Sequence, residues 1–302
     1  MTPRRAIETL ITEATGEAAR IRDQRPVAGG SINRASLVEL EDGRRFFVKS
    51  NASPSPGLFE AEVAGLEALA ATEVLRTPRP LGMGGGTDGL AAFLVMEALD
   101  PAPKRADFFE HFGRRLAELH RRPPGASGPD GEAFGFTADN YIGATPQPNP
   151  WTADWCDFFR RHRLGHQLGL ARRQGATDTA FDRLADRLLA RLGDFLDEPA
   201  EPAGLLHGDL WGGNYLVDAT GSAALIDPAV YYGRREADLA MTRLFGGFDQ
   251  RFYDAYGEAW PLAPGSEDRL AIYELYHLLN HLNLFGDSYR GGCLRILRRL
   301  VG

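Results

Sequence analysis

The chain has 302 residues, 43% of them hydrophobic and 25% charged, and a formal net charge of −7. That length can hold two lobes with cores of their own, while the acidic balance and the lack of a long basic run exclude a nucleic-acid footprint. Two cysteines, Cys156 and Cys293, are too few for a disulfide framework and fit a reducing, cytoplasmic compartment. No stretch approaches the roughly 18 apolar residues of a membrane span. Glu8, Glu13 and Glu17 interrupt the region where a signal peptide would need an apolar run, so none is expected.

Residues Ala6 to Ile21 read as a short helix, after which Gly29 and Gly30 break the chain. Ser36 to Leu40 and Arg44 to Lys49 read as two strands joined at Asp42 and Gly43, a strong hairpin signal. After a polar, proline-containing loop, Phe59, Val63, Leu66 and Leu69 recur at helical spacing. That helical region closes at Pro78 and Pro80, and Ala91 to Met96 is a compact apolar run of buried-strand type. The remainder reads as helical around one strand-rich insert. Phe108, Phe112, Leu116 and Leu119 form a helical stripe that ends before Pro123 and Pro124. The Gly/Pro-rich stretch from Pro123 to Pro150 is loop-like and long enough to serve function. Trp151 to Arg173, Phe181 to Phe195, a segment near Ala237 to Phe245, and the stripe Ile272, Leu275, Tyr276 and Leu279 read as helices. The predicted class is α+β, with a small β-rich lobe over residues 1–97 and a larger, mainly helical lobe over 98–302.

The sharpest signal is Leu206-His207-Gly208-Asp209-Leu210-Trp211-Gly212-Gly213-Asn214, followed by Leu225-Ile226-Asp227-Pro228. Leu205 to Leu206, Tyr215 to Val217 and Ala223 to Ile226 read as strands, with a turn at Asp218 to Gly221. This pattern is expected to bring Asp209, Asn214 and Asp227 to one end of a small sheet. The spacing suits phosphoryl transfer: Asp209 accepts the proton of an attacking hydroxyl, while Asn214 and Asp227 hold Mg2+ against nucleotide phosphates. All three are small oxygen donors, the type a hard cation selects. His207 is expected to brace the loop through hydrogen bonds. Asp238 opens a helix, where it either braces the catalytic loop or favours the helix N-terminus.

Lys49 ends a strand, as a lysine reaching α- and β-phosphates would, and needs a carboxylate to hold it. Glu62 on the next helix is the candidate, because Glu60 would face about 160° away at ~100° per residue. Gly29-Gly30-Ser31-Ile32-Asn33 is suited to a turn over phosphates, since glycine allows close backbone approach. Gly84, Gly85 and Gly86 read instead as a hairpin tip. His277 and His281 lie four apart on a helix without an evident third metal ligand, and read as packing or solvent-facing residues.

His207 to Asn214 resembles the catalytic loop of the fructosamine kinase (ketosamine-3-kinase) family, within the protein-kinase-like and aminoglycoside-phosphotransferase-like group. Tryptophan directly after HGDL is the particular mark of that family. Asp227-Pro228-Ala229-Val230-Tyr231-Tyr232-Gly233 is similar to its metal-binding segment, Gly29 to Asn33 to its nucleotide loop, and Phe59-x-x-Glu62-x-x-Gly65-Leu66 to its first-lobe helix. The resemblance spans about residues 25–285. It implies a bilobal protein-kinase-like fold with ATP and Mg2+ in the cleft, and backbone contacts from Glu97 and Leu99 to adenine. The implied reaction is phosphorylation of the 3-hydroxyl of a ketosamine, either a small molecule or a glycated protein side chain, in deglycation. Trp211 is the candidate for stacking on the acceptor sugar. Some members carry a cysteine in the nucleotide loop; Ser31 stands there in this chain, which puts thiol-based control through that loop in doubt.

Two other readings stay open: a kinase for an aminoglycoside or choline-like compound, and a kinase-like nucleotide-binding module without turnover. The joint presence of Lys49, Glu62, Asp209, Asn214 and Asp227 argues against the second. No APE-type motif follows Asp227, which disfavours a protein-serine kinase. No obligate protein partner is evident.

Overall fold

The computed structural model describes residues 2–27, 33–52, 55, 57–86, 90–197 and 200–302. The chain divides into two compact units, residues 1–105 with 216–227, and residues 106–215 with 228–302.

The first unit is an antiparallel five-stranded sheet with two long helices. Its elements are α1 (Pro3–Thr15), β1 (Ile21–Val27), β2 (Arg34–Leu40), β3 (Arg45–Asn51), α2 (Leu58–Ala70), β4 (Pro80–Gly84) and β5 (Ala92–Glu97), with strand order β1-β2-β3-β5-β4. Helix α1 is shorter than the sequence pattern predicts. Gly16 takes a left-handed φ of 73° and returns its N–H to Thr12, which ends the helix and frees Ile21 to start β1. The edge strands β1 and β4 have no apolar signature of their own. Each carries a proline, Pro26 and Pro80, at a sheet edge where a missing N–H is tolerated.

Strand β5 explains why Ala91 to Met96 reads as continuously apolar. Its residues alternate between two covered faces. Phe93 and Val95 join Ile7, Ile11, Val38 and Val48 in one buried cluster. Leu94 and Met96 join Phe59 and Leu66 of α2 in another. Met96 is therefore a core residue. Gly84 to Gly86 end the β4 side of a hairpin, which closes through Gly86 N–H to Leu90 O at 2.8 Å.

The second unit is mainly helical. It contains α3 (Phe108–Arg121), a small hairpin of β6 (Asn140–Ile142) and β7 (Thr145–Gln147), then α4 (Trp155–Phe158), a π-helical turn at Phe159–Leu164, α5 (Gly165–Arg173), α6 (Thr179–Ala190) and α7 (Gly193–Leu196). Strand β8 (Gly204–Leu206) enters the HGD loop and β9 (Tyr215–Val217) leaves it. After β10 (Ala223–Leu225) come β11 (Tyr231–Gly233), α8 (Glu236–Leu244), α9 (Gln250–Ala259), α10 (Ser266–Phe285), a 3-10 turn at Asp287–Tyr289, and α11 (Arg290–Val301). Phe108, Phe112, Leu116 and Leu119 of α3 are all buried, as their spacing predicts. Gly113 lets α3 approach α9 closely, since a Cβ there would lie 2.3 Å from the carbonyl oxygen of Phe252.

The three expected strands do not form one sheet. β9 pairs with β10, whereas β8 pairs with β11, Leu206 opposite Tyr231. Asp227 takes a left-handed φ of 55°, and Ala229 then gives its N–H to His207 O at 2.8 Å. Strand β11 is thereby delivered to β8.

Candidate active site

In the first unit, Lys49 on β3 is buried between two carboxylates. Its Nζ lies 2.5 Å from Glu62 Oε1 of α2 and 2.5 Å from Asp227 Oδ1. Burial works against the lysine charge, but the charges of Glu62 and Asp227 outweigh it and hold Lys49 protonated, above the ordinary lysine range. Glu60 is exposed, so the helical-angle argument selects the correct glutamate. Asp227 has φ 55°. Few non-glycine residues accept the left-handed region, Asp among them, and such conformations cluster at functional sites.

The turn before it is built by Asp218, whose carboxylate accepts the N–H groups of Thr220 at 2.8 Å and Ser222 at 3.0 Å. Gly29, Gly30, Ser31 and Ile32 lie outside the described residues. Asn33, which follows them, accepts Asn51 Nδ2 at 3.0 Å and so ties the start of β2 to the end of β3. Glu97 ends β5. Its N–H is engaged by Arg79 O at 2.8 Å, and its carboxylate pairs with Arg76. Leu99 is half-buried in the irregular stretch that follows.

In the second unit the HGD loop is held from beneath. Gly208 has φ 82°, and a Cβ there would sit 2.0 Å from the carbonyl oxygen of Ala229. Only glycine fits that approach. His207 is fully buried, and its Nδ1 accepts the Asp209 N–H at 3.2 Å. It braces the loop, as its sequence context predicts. Asn214 donates Nδ2 to Asp209 O at 2.8 Å and to Asp209 Oδ2 at 3.2 Å. The amide nitrogen is thus committed to Asp209, and its carbonyl oxygen remains the group suited to a cation. Among the described residues no cluster of three or more His, Cys, Asp or Glu forms a metal cage. Taken singly, the amide oxygen of Asn214 and the carboxylate of Asp227 are oxygen donors of the type that Mg2+ takes.

Asp238 braces the catalytic loop and also opens α8. Its carboxylate accepts the N–H of His207 at 2.7 Å and of Gly208 at 2.8 Å, and His120 Nε2 lies at 3.1 Å. Burial alone would raise its pKa, but the His120 hydrogen bond and charge, with the amide of Gly208, hold it below the usual carboxylate range. His120 Nδ1 in turn meets the Tyr256 hydroxyl at 2.9 Å.

The long Pro123–Pro150 stretch carries a second support that sequence patterns do not reveal. Asn140 Nδ2 donates to Val230 O at 2.7 Å and Gln147 Nε2 to Ala229 O at 3.1 Å. Arg163, buried in the π-helical turn, fixes Asn149 at 2.7 Å, and Asn149 fixes Asn140 at 2.9 Å. The segment just after Asp227 is held by these amides.

Trp211 is 39% exposed, two residues after Asp209, and its ring meets Phe245 edge to face at 6.3 Å. His277 is buried and His281 Nδ1 donates to the backbone carbonyl of His277 on the same helix, so neither departs from a packing role. Burial pushes the thiols of Cys156 and Cys293 up to about 11 and about 12, which leaves both unreactive near neutrality. Among the described residues no helix is long and apolar enough to cross a membrane.

A β-rich unit with a buried lysine–glutamate pair, and a helical unit with a braced HGD loop, are the parts of an ATP-dependent phosphotransferase with the protein-kinase-like fold. The fructosamine kinase family model matches residues 3–302. A probable ketoamine kinase of Synechocystis is 43% identical over 299 residues, covering 99% of this chain and 97% of that protein. The chloroplastic protein-ribulosamine 3-kinase of Arabidopsis thaliana is 40% identical, over 96% of this chain and 85% of the other. The solved structure of a candidate fructosamine-3-kinase from Thermobifida fusca superimposes with a TM-score of 0.83 at 34% identity, covering 97% of each chain. The chain belongs to the fructosamine kinase family.

Proposed function

We propose that this kinase transfers the γ-phosphoryl group of ATP to the 3-hydroxyl of a ketosamine. The observation that carries the reading is the braced loop in which Asp209 and Asn214 are hydrogen-bonded and Trp211 stands exposed between them. Asp209 orients the sugar hydroxyl and takes its proton as the oxygen attacks phosphorus. The bond to the ADP oxygen breaks in the same displacement. Lys49, fixed by Glu62, neutralises phosphate charge, and Gly29 to Asn33 are the candidate phosphate-binding segment. Glu97 and Leu99 hold the adenine edge through their backbones. Asn214 and Asp227 would supply the oxygens that hold Mg2+, which when bound would neutralise charge on the phosphates.

Trp211 offers its face to the C–H side of the sugar. The names of the relatives, a ketoamine kinase and a protein-ribulosamine kinase, support an acceptor of this chemistry, free or carried on a protein side chain. Once the 1-amino-2-ketone enolises, the C3–O bond breaks and inorganic phosphate leaves; water then hydrolyses the resulting imine at C1, which frees the amine and a dicarbonyl sugar and makes the overall sequence a deglycation.

The test is ADP release with ATP and Mg2+, with and without a ribose- or fructose-derived ketosamine, beside an Asp209→Asn variant. Acceptor-dependent release that the variant loses, with 31P NMR placing phosphate on O3, supports the reading. Tight ATP binding with no response to any ketosamine refutes it.

A further inference from the structure

The proposed acceptor site uses Trp211, but the aromatic surface does not stop there. Phe245, at the end of α8, stands 6.3 Å from Trp211 and 4.6 Å from His281 of α10, ring centre to ring centre. His281 is 5.4 Å from Phe285 and 5.0 Å from Tyr289. Among the described residues the exposed Trp and Phe side chains are Trp211, Phe245 and Phe285, and all three lie in this one run of rings. Exposed aromatic area concentrated in a single patch marks a binding surface rather than chance exposure.

The position of the run names its occupant. A ketosamine that offers a sugar hydroxyl to Asp209 and its carbon face to Trp211 has one part left to place, the nitrogen and its substituent. That nitrogen is a secondary ammonium near neutral pH, and ring faces attract ammonium groups. His281 adds no competing positive charge. Its Nδ1 is engaged with His277 O at 2.8 Å, and burial lowers its pKa so that the ring stays neutral.

We propose that Phe245, His281 and Phe285 form a subsite for the amine portion of the acceptor, which selects ketosamines bearing an apolar or aromatic substituent on nitrogen. The inference rests on the ketosamine reading given above. Its test compares two acceptors with the same sugar, the ribulosamines of benzylamine and methylamine. The native enzyme is expected to favour the benzyl compound in kcat/KM by about tenfold, the scale expected for partly burying one ring.

Phe245→Ala and Phe285→Ala each reduce that ratio several-fold, chiefly through KM for the benzyl compound, and Phe285→Tyr restores it. Turnover of both acceptors without preference, or a ratio unchanged in both alanine variants, overturns the subsite and leaves the ketosamine kinase intact. Turnover of neither acceptor by a protein that binds ATP overturns both.

Discussion

Asp238 accepts the backbone N–H of His207 at 2.7 Å, although the two residues are 31 apart in the chain. The same carboxylate takes Gly208 N–H, so one buried side chain fixes the backbone from which Asp209 projects. Asp238→Asn turns a donor toward these donors. Stability is expected to fall on the order of 2–4 kcal/mol, because buried groups lose their partners. kcat should drop about 100-fold through misplacement of Asp209, with ATP affinity largely kept. Urea unfolding, steady-state kinetics and nucleotide titration measure the three quantities.

Lys49 sits between Glu62 and Asp227, and its removal leaves two carboxylates facing each other without a cation. Lys49→Ala is expected to lower kcat/KM for ATP by about 100- to 1,000-fold, the scale seen when one preorganised charge donor is lost. Arginine should not substitute, since its planar fork cannot occupy the same point between two carboxylates. A Lys49→Arg enzyme with native kinetics would contradict this account.

Gly213 tests Trp211 without replacing it. A Cβ on Gly213 would fall 2.4 Å from the indole edge, so Gly213→Ala must push the Trp211 ring aside. KM for the ketosamine is expected to rise about tenfold while KM for ATP holds. Gly208→Ala is the contrast. There the collision is with the Ala229 backbone at 2.0 Å and the φ is 82°, so both stability and all activity should suffer.

Burial keeps His277 neutral and pushes its pKa from the ordinary 6.5 down to about 3. Between those values the unfolded chain binds a proton that the folded chain refuses, so stability rises with pH across that window. The contribution is complete above about pH 6.5 and is lost as the pH falls toward 3, at up to ~1.4 kcal/mol per pH unit. His277→Leu should flatten the slope by about that much, and it also removes a buried Nδ1 that has no hydrogen-bond partner among the described residues. Urea midpoints at pH 7 and pH 5 for both proteins check it.

Local features are legible in the residues themselves. The HGD loop, the turn at Asp218, the apolar run of β5 and the choice of Glu62 over Glu60 follow from residue type, spacing and helical angle, which act over a few residues. The periodic stripe of α3 was equally readable. The short edge strands β1 and β4 were not, because their pairing with neighbours, not their own composition, makes them strands.

Tertiary structure alone decided the rest. It paired β8 with β11, and it grouped residues 216–227 with the first unit, so that Asp227 meets Lys49. It brought Asp238, Asn140 and Gln147 to the backbone they support, and His120 to the Asp238 carboxylate; His120, Asn140 and Gln147 each lie more than 80 residues along the chain from their partner. Such partners leave no periodic trace. A buried amide or carboxylate is fixed by whichever unpaired backbone group folding leaves beside it, and the chain's own order does not record that encounter.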